Sequence, residues 1–553
     1  MKRYGIDAET CRDEQTGQRK LATVQLWSRE KNVGRIYDVR IPEERSYLQQ
    51  HLYNPDHEFV SFEAQTELFF INKEFGKQIK IVGDAYLLAC LLQEKEQSLE
   101  ALSLKYLGKG KYKSLEEVTN GTFSFDGPLN EEQEEYAIRD AQLAIELEEV
   151  MVPKVEKFDK IYRFELALLP VLVNMRFEGL RVDLARWEKE KEILKNRFNG
   201  LRSSLYLEAG QEFKLNTRKL APILEAVGIT NPGVKTDTGR DSFSAEVLSN
   251  LTQYSFITDL LEARHLENVL SSEKDMVNNM VDERLHPEFR PINYSGSARI
   301  YTTKPSVNSM PRELRRAVVP DEGKKFWYID WKGAELIYLA YLANQKDIIE
   351  VYERGGDIHR YVSSKILGVS EDQIDDAARD TSKVVTFSIV YGSEGHAASR
   401  SAKVSIEEAK NWVESFLNNF EDIQKYLENL KQYGLKTGQA VTWLGRRRLI
   451  SKVWSNSEQT VKEGGRQAVN TPIQNGVADL LKWAMIRLFQ FHKELKLKFV
   501  VFDSFLLEVD EDLRIEEYKE ILKKVFTFKK GDTVVRFNFK IEEGYSWGDL
   551  MNK

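Results

Sequence analysis

Apolar positions change their period at several points along the chain, and each change predicts an element. Tyr4-Gly5-Ile6 followed by Asp7-Ala8-Glu9-Thr10 alternates with period two, which predicts a short strand with Asp7 and Glu9 on one face. From Tyr136 through Leu143, Ile145 and Leu147 the spacing is helical, and Tyr136 and Asp140, four apart, share a helix face. Arg163 to Gly179 reads as an apolar-periodic helix, and long charged helical stretches follow from Ala185 to Ala209. A loop-rich interval, Asn231 to Arg240, interrupts them before a helical pattern resumes from Ala245 to Asn279. The aromatic and β-branched run Phe326–Trp331 predicts a buried strand. From Gly333 onward, Ala334, Leu336, Ile337, Ala340 and Tyr341 have the spacing of a helix packed against it.

A further helix is expected after Gly356-Asp357-Ile358-His359. Beyond it Arg379, Lys383, Phe387 and Tyr391 recur every four residues, tracing one slowly winding stripe that is first cationic and then aromatic. Thr442-Trp443-Leu444-Gly445-Arg446-Arg447-Arg448 reads as a tight turn crowded with guanidinium groups. Arg466, Asn470 and Gln474 recur every four residues ahead of an apolar helix Val477–Leu488, with Pro472 expected to kink or interrupt the run. Phe499 to Val509 reads as two apolar strands with Asp503-Ser504 at the hairpin turn.

Composition narrows the function classes little. The 553 residues suit roughly three to four domains, at about 150 residues each. With 42% hydrophobic and 30% charged residues the chain buries large cores and is not disordered. The formal charge of −7 gives no global basic signal, although an enzyme handling a polyanion in a cleft needs only a local positive field. Two cysteines, Cys11 and Cys90, make neither a disulfide framework nor a cysteine zinc site, and fit a reducing compartment. Signal peptide, transit peptide and membrane span are not seen in the sequence, so a cytoplasmic location is expected.

Chemistry concentrates in a few places. A carboxylate at Asp330, at a strand end in apolar surroundings, is costly unless it is paired or holds a metal; taken alone it reads first as a salt-bridged core residue. Asp503 offers a second carboxylate, although an aspartate in a turn is also ordinary turn chemistry. Asp7 and Glu9 can share a divalent cation, or simply be two acids on a surface strand. The stripe suits a nucleoside triphosphate, with cations to the phosphates and rings to sugar and base. The arginine-rich turn is a natural place for backbone phosphates, and the amide and guanidinium groups at 466, 470 and 474 suit the degenerate acceptors of a minor groove.

Asp7 and Glu9, then Tyr136 and Asp140, resemble the first and third motifs of the 3′–5′ proofreading exonuclease domain. Glu67 stands at the acid of its second motif, where the family usually has Asp, and Glu63 replaces the usual Asn. The stretches around Asp330, around Arg379–Tyr391 and around Asp503 resemble motifs A, B and C of family A DNA polymerases, the Klenow-fragment class. Ile337, Ser388, Phe502 and Ser504 depart from the common pattern.

The resemblance implies α/β and α+β multidomain architecture: an RNase H-like exonuclease domain followed by a right-hand polymerase, with no 5′-nuclease domain ahead of it. The implied division is exonuclease 1–160, thumb and palm-entry helices 161–290, palm 291–349, fingers 350–435 and palm again 436–553. It further implies template-directed DNA synthesis by a monomer acting on primer–template DNA and dNTPs, with Mg2+, or Mn2+ as a substitute. Asp330 and Asp503 would hold the metal ions in one site, and Asp7, Glu9, Glu67 and Asp140 in the other. His359, Arg379 and Lys383 would bind the triphosphate, with Lys383 as the proton donor. Phe387 and Tyr391 would shape the base-pair pocket, and Glu335 would exclude the ribose 2′-hydroxyl. Arg299, Asn308, Thr442, Arg446, Arg447, Arg466, Asn470 and Gln474 would contact DNA. A single-subunit RNA polymerase, a nuclease with a degenerate carboxy-terminal half and a non-enzymatic DNA-binding scaffold are the rival readings.

Overall fold

Two sheets organise the molecule. The structure, a computed structural model, describes residues 1–551 apart from 14–17, 111–114, 120, 122–124, 126, 218, 236–238, 294, 393–394, 396–397, 400–401 and 403. In the first sheet, β1 (Lys2–Arg12), β2 (Arg19–Ser28), β3 (Val33–Asp38), β4 (His57–Ser61) and β5 (Ile81–Asp84) lie in the order β3-β2-β1-β4-β5. The pairs among β1, β2 and β3 are antiparallel, and β1–β4 and β4–β5 are parallel. Parallel neighbours need a crossover connection, and α1 (Gln65–Phe75) supplies it between β4 and β5. A short helix α2 (Ala85–Leu91) continues directly from β5, and α3 (Glu131–Met151) packs on β1.

That packing depends on Gly5. A Cβ there would lie 1.9 Å from the Ala141 carbonyl oxygen, so the absence of a side chain lets α3 lie directly on the strand.

Helix α4 (Asp159–Glu178) belongs to two cores. Ile161, Tyr162, Leu169 and Val173 join the core of the first sheet, while Leu168, Val171, Leu172 and Met175 join a larger one built around the second. Long helices α5 (Leu184–Ala209) and α6 (Ser255–Asn278) follow, and their distal parts enclose a separate small core with Leu220, Leu224 and Phe243. The helix expected from Ala245 to Asn279 is interrupted: one turn, Ala245–Leu248, and a 3-10 turn, Ser249–Leu251, precede α6. Ser249, Asn250 and Thr252 explain the break, because such side chains compete with helical backbone bonds.

A two-stranded ribbon, β6 (Glu288–Arg290) with β7 (Tyr301–Thr303), leads into β8 (Lys324–Trp331). On β8 the side chains of Trp327, Ile329 and Trp331 are buried, while Tyr328 and Asp330 are only partly so. Trp331 stacks on Phe537 at 4.2 Å between ring centroids. The helix expected from Gly333 is α7 (Ala334–Ala343). Gly333 has φ +60°, and a Cβ there would meet Ile358 at 2.5 Å, so both backbone and space call for glycine.

Helices α8 (Ile358–Leu367), α9 (Asp376–Val390) and α10 (Glu421–Thr437) follow, then a hairpin of β9 (Gln439–Val441) and β10 (Arg447–Leu449). Next comes α11 (Glu458–Phe491), which continues through Pro472, so that of the kink or interruption expected there the interruption does not occur. Thr471, Pro472 and Ile473 are all buried there, and packing outweighs one missing backbone bond. Strands β11 (Lys496–Val501), β12 (Ser504–Asp510) and β13 (Phe539–Gly544) complete the second, wholly antiparallel sheet in the order β11-β12-β8-β13. The turn between β11 and β12 is Phe502-Asp503, one residue earlier than expected, and Ser504 is already in the strand. None of the described helices is long and apolar enough to cross a membrane.

Candidate functional site

The second sheet and the helices beside it surround a cavity of about 400 Å³. Its walls include Arg299, Asp330, Glu335, His359, Lys383, Phe387, Tyr391, Gln474 and Asp503, residues that are spread over 205 positions of sequence. Asp330 ends β8, and the antiparallel register sets it opposite Ser504, so the Asp503 turn stands beside it. The Ser504 hydroxyl donates to Asp330 Oδ1 at 2.6 Å. Burial and the adjacent Asp330 carboxylate push Asp503 up to about 7, and burial also raises Asp330, against the pull of Ser504 and Lys383. Two crowded carboxylates that resist ionisation in this way are a fit place for a divalent cation.

Glu335, in the first turn of α7, is buried and held from two sides. Arg299 Nη2 donates to its Oε1 at 2.8 Å, and the Tyr391 hydroxyl lies 3.1 and 3.3 Å from its two oxygens. With the Gln474 amide oxygen turned toward Arg299, it accepts from Nη1 at 2.9 Å and Nη2 at 3.2 Å. The Arg299 guanidinium also sits 5.4 Å from the ring of Phe502, a residue the sequence marked only as a departure from a family pattern.

His359 is the second residue of α8, behind the Asp357 cap, whose carboxylate accepts from His359 N at 3.0 Å. Burial, then Lys383 and Arg379, lower its imidazole to about 4, so it is neutral at pH 7. Lys383 and Phe387 project from α9 as the stripe predicted. Arg379 does not line the cavity: its Nε donates to Asp357 Oδ2 at 2.6 Å, tying α9 to the start of α8.

Two expected DNA contacts are overturned. Arg446 is 2% exposed, between Asp479, whose Oδ1 is 2.6 Å from Nη2, and Glu165, which also pairs with Lys482 at 2.6 Å. Thr442 is buried and donates to Asp479 Oδ2 at 2.9 Å. The turn folds both inward because buried carboxylates on α4 and α11 require hydrogen-bonded partners.

Arg447 lies on β10, half-buried. Arg466, Asn470 and Gln474 are on α11 as expected, but only Gln474 reaches the cavity, and Arg466 lines a different one with Gly392. Asn308 accepts from the Thr302 hydroxyl at 2.8 Å and lies in a small cavity alongside Arg299 and Phe502.

A second cluster lies on the first sheet. Asp7 and Glu9 from β1 and Asp140 from α3 each offer a carboxylate oxygen, all within 4.8 Å of one another. This juxtaposition, with the donor chemistry of hard cations, fits a divalent metal. Glu67, on α1, is buried, and burial followed by the neighbouring Asp7 raises its carboxyl well above the ordinary range. Tyr136 is buried one helical turn before Asp140, and burial together with the Asp140, Glu9 and Asp7 carboxylates drives its phenol upward. Sequence spacing does not single out Asp84, yet it is buried and accepts from Ala64 N at 2.9 Å and from Tyr86 N at 2.8 Å. Its place directly before an apolar helix was the available signal, since aspartate there is a helix cap.

Comparisons with known proteins address the two halves of the chain separately. The family model for DNA polymerase family A matches residues 185–549, and that for 3′–5′ exonuclease matches residues 1–156. DNA polymerase I of Chloroflexus aurantiacus is 27% identical over 507 residues, which cover 86% of this chain and 53% of that one. DNA polymerase I of Bacillus caldotenax is 29% identical over 408 residues, covering 71% and 46%. The chain thus spans about half the length of the curated relatives it matches. The solved structure of the POL domain of Pol1 from M. smegmatis, in complex with DNA primer-template and dNTP, matches 100% of this chain and 96% of its own. Its TM-score is 0.85 at 22% identity, a likeness of fold. With both halves accounted for, the chain belongs to DNA polymerase family A and carries a 3′–5′ exonuclease domain at its amino-terminal end.

Proposed function

We propose that this protein extends a primer 3′ end with dNTPs under the direction of a template strand, and removes misincorporated nucleotides with its amino-terminal domain. The observation that carries the reading is the single cavity uniting Asp330 and Asp503 with Glu335, His359, Lys383, Phe387 and Tyr391. Asp330 and Asp503 would hold the divalent ions of synthesis, and Asp7, Glu9, Glu67 and Asp140 those of hydrolysis. When bound, such ions activate the attacking oxygen and stabilise the leaving one.

The side chains supply the rest. Lys383 lines the cavity with Asp330 and would neutralise the triphosphate and protonate the departing pyrophosphate. A neutral His359 donates a hydrogen bond to a phosphate oxygen without adding charge. Arg379 acts through Asp357 on the start of α8. Glu335, fixed by Arg299 and Tyr391, occupies space beside the sugar and refuses a 2′-hydroxyl. Phe387 and Tyr391 present rings to the nascent base pair. Arg299 and Gln474, bonded to each other, face the primer–template minor groove. We take the metal to be Mg2+ and the working form to be a monomer.

The test is a primer-extension assay with and without dNTPs. Asp503→Ala should abolish extension by removing stabilisation made in the transition state, and leave degradation of single-stranded 3′ ends intact. Near-normal extension by this variant would sink the two-aspartate site.

A further inference from the structure

The helix that carries Glu67 is held in part by the polymerase half of the chain. Strand β6 lies beyond residue 287, yet Arg290 on it ion-pairs with Glu63, four residues before Glu67, and its guanidinium sits 5.7 Å from the Tyr86 ring on α2. Arg290 Nη2 also donates to Glu288 Oε2 at 3.1 Å. Glu288 is paired in turn with Arg176 at 3.3 Å, and the Arg176 guanidinium lies 4.2 Å from the Phe69 ring, further along α1. Residues on either side of Glu67, Glu63 and Phe69, therefore meet two arginines that share Glu288 of β6.

Glu63 itself has φ +66°, a left-handed conformation that is strained for a non-glycine residue. Such a backbone persists only where its surroundings over-determine it. Here Asp84 does so through the backbone, accepting from Glu63 N at 3.2 Å and Ala64 N at 2.9 Å, and Arg290 does so through the side chain. The next residues enter α1, which meets β1, and Glu67, its third residue, carries a buried carboxylate; Glu67 Oε2 has no hydrogen-bond partner among the described residues.

We propose that Arg290 and Asp84 are positioning residues for the exonuclease site, fixing the left-handed entry to α1 so that Glu67 is presented to the Asp7–Glu9–Asp140 cluster. The inference rests on the hydrolytic role proposed for that cluster. A glutamate at this position has one methylene more than an aspartate, so its reach depends on where the backbone enters the helix. Displacement of about 1 Å is enough to cost on the order of 100-fold in rate. Strand β6 also pairs with β7, which begins two residues after Arg299.

The experiment uses the full chain as wild type, Arg290→Gln, Arg290→Lys and Glu63→Gln. Two readouts are taken: single-stranded 3′-end hydrolysis, and Mn2+ binding followed by electron paramagnetic resonance with Asp503→Asn added to weaken the polymerase site. Arg290→Gln and Glu63→Gln should lower hydrolytic kcat by roughly 10- to 100-fold with little change in KM for single-stranded DNA. Both should weaken the Mn2+ binding that Asp7→Ala abolishes, Arg290→Lys should restore part of each, and primer extension without Asp503→Asn should stay at the wild-type rate. Wild-type hydrolysis and Mn2+ binding in both charge-removing variants would overturn the proposal. Mn2+ binding that depends on Arg290 in a wild-type protein that degrades no 3′ end would uphold the positioning and refute the hydrolytic role. Should Arg290→Gln fail to fold, Glu63→Gln breaks the same ion pair from its more exposed side and decides the matter alone.

Discussion

His359 is mostly buried and faces Lys383 and Arg379, and its imidazole is lowered from the ordinary 6.5 to about 4. A histidine whose folded pKa is depressed binds fewer protons than the unfolded chain between those two values, so stability falls as pH drops through that window. Between pH 8 and pH 5 the loss from this residue should be about 2 kcal/mol. Denaturant unfolding at the two pH values should show a smaller acid loss in His359→Gln than in wild type; equal losses would place the histidine elsewhere. Glu335 tests the sugar pocket. Its carboxylate is fixed by Arg299 and Tyr391, so Glu335→Ala should raise single-nucleotide incorporation of rNTP relative to dNTP, and an unchanged ratio would mean that selectivity resides in another group.

At the scale of elements, the close approach of β1 and α3 assembles the Asp7–Glu9–Asp140 carboxylate cluster. Asp7 and Glu9 come from the strand and Asp140 from the helix, and Gly5 is what lets the two meet. Gly5→Ala should push α3 away. The overpacking should cost about 1–3 kcal/mol of stability and lower 3′-end hydrolysis by a larger factor than primer extension. Thermal melting and the two activities, measured on one preparation, check this; equal losses of both activities would point to general unfolding. Strand–helix alternation of this kind was legible in sequence because periodicity reports which face an element buries. The break before α6, the continuity of α11 through Pro472 and the one-residue shift of the Asp503 turn were not, because tertiary packing and local side-chain bonds decide each of them.

Across the whole molecule, two cations and two anions with almost no exposure join distant parts of the chain: Glu165 on α4, Arg446 in the β9–β10 hairpin, and Asp479 and Lys482 on α11. Lys482 additionally donates to the Pro291 carbonyl at 2.8 Å, next to Arg290. Removing one partner leaves uncompensated buried charge, so Arg446→Ala should cost about 3–5 kcal/mol. Arg446 is buried against Glu165 and Asp479 and has almost no surface to offer a phosphate. Arg446→Lys should therefore lower Tm while leaving the salt dependence of primer–template affinity unchanged, whereas Arg466→Ala, at an exposed position, should reduce the slope of log Kd against log salt by about 1. A changed slope in Arg446→Lys would return that arginine to the DNA surface.

The sequence alone determined the elements that carry chemistry and the residue types at their key positions. Asp330 at a strand end, Asp503 at a turn, the Lys383–Phe387–Tyr391 stripe, and Asp7 with Glu9 on one strand face all follow from periods of two and about 3.6, which are local properties of the backbone. Tertiary structure decided which of these meet, and it alone sorted the arginines. Arg299 is in the cavity, Arg379 holds a helix cap, Arg446 is buried in an ionic network and Arg290 reaches across to the exonuclease helix. Nothing local distinguishes them, because an arginine's role is set by where its counter-charge lies, and these counter-charges stand as far as 281 residues away along the chain. Buried carboxylates draw in whichever cation the fold brings near, since leaving one unpaired costs more than ordering a long side chain.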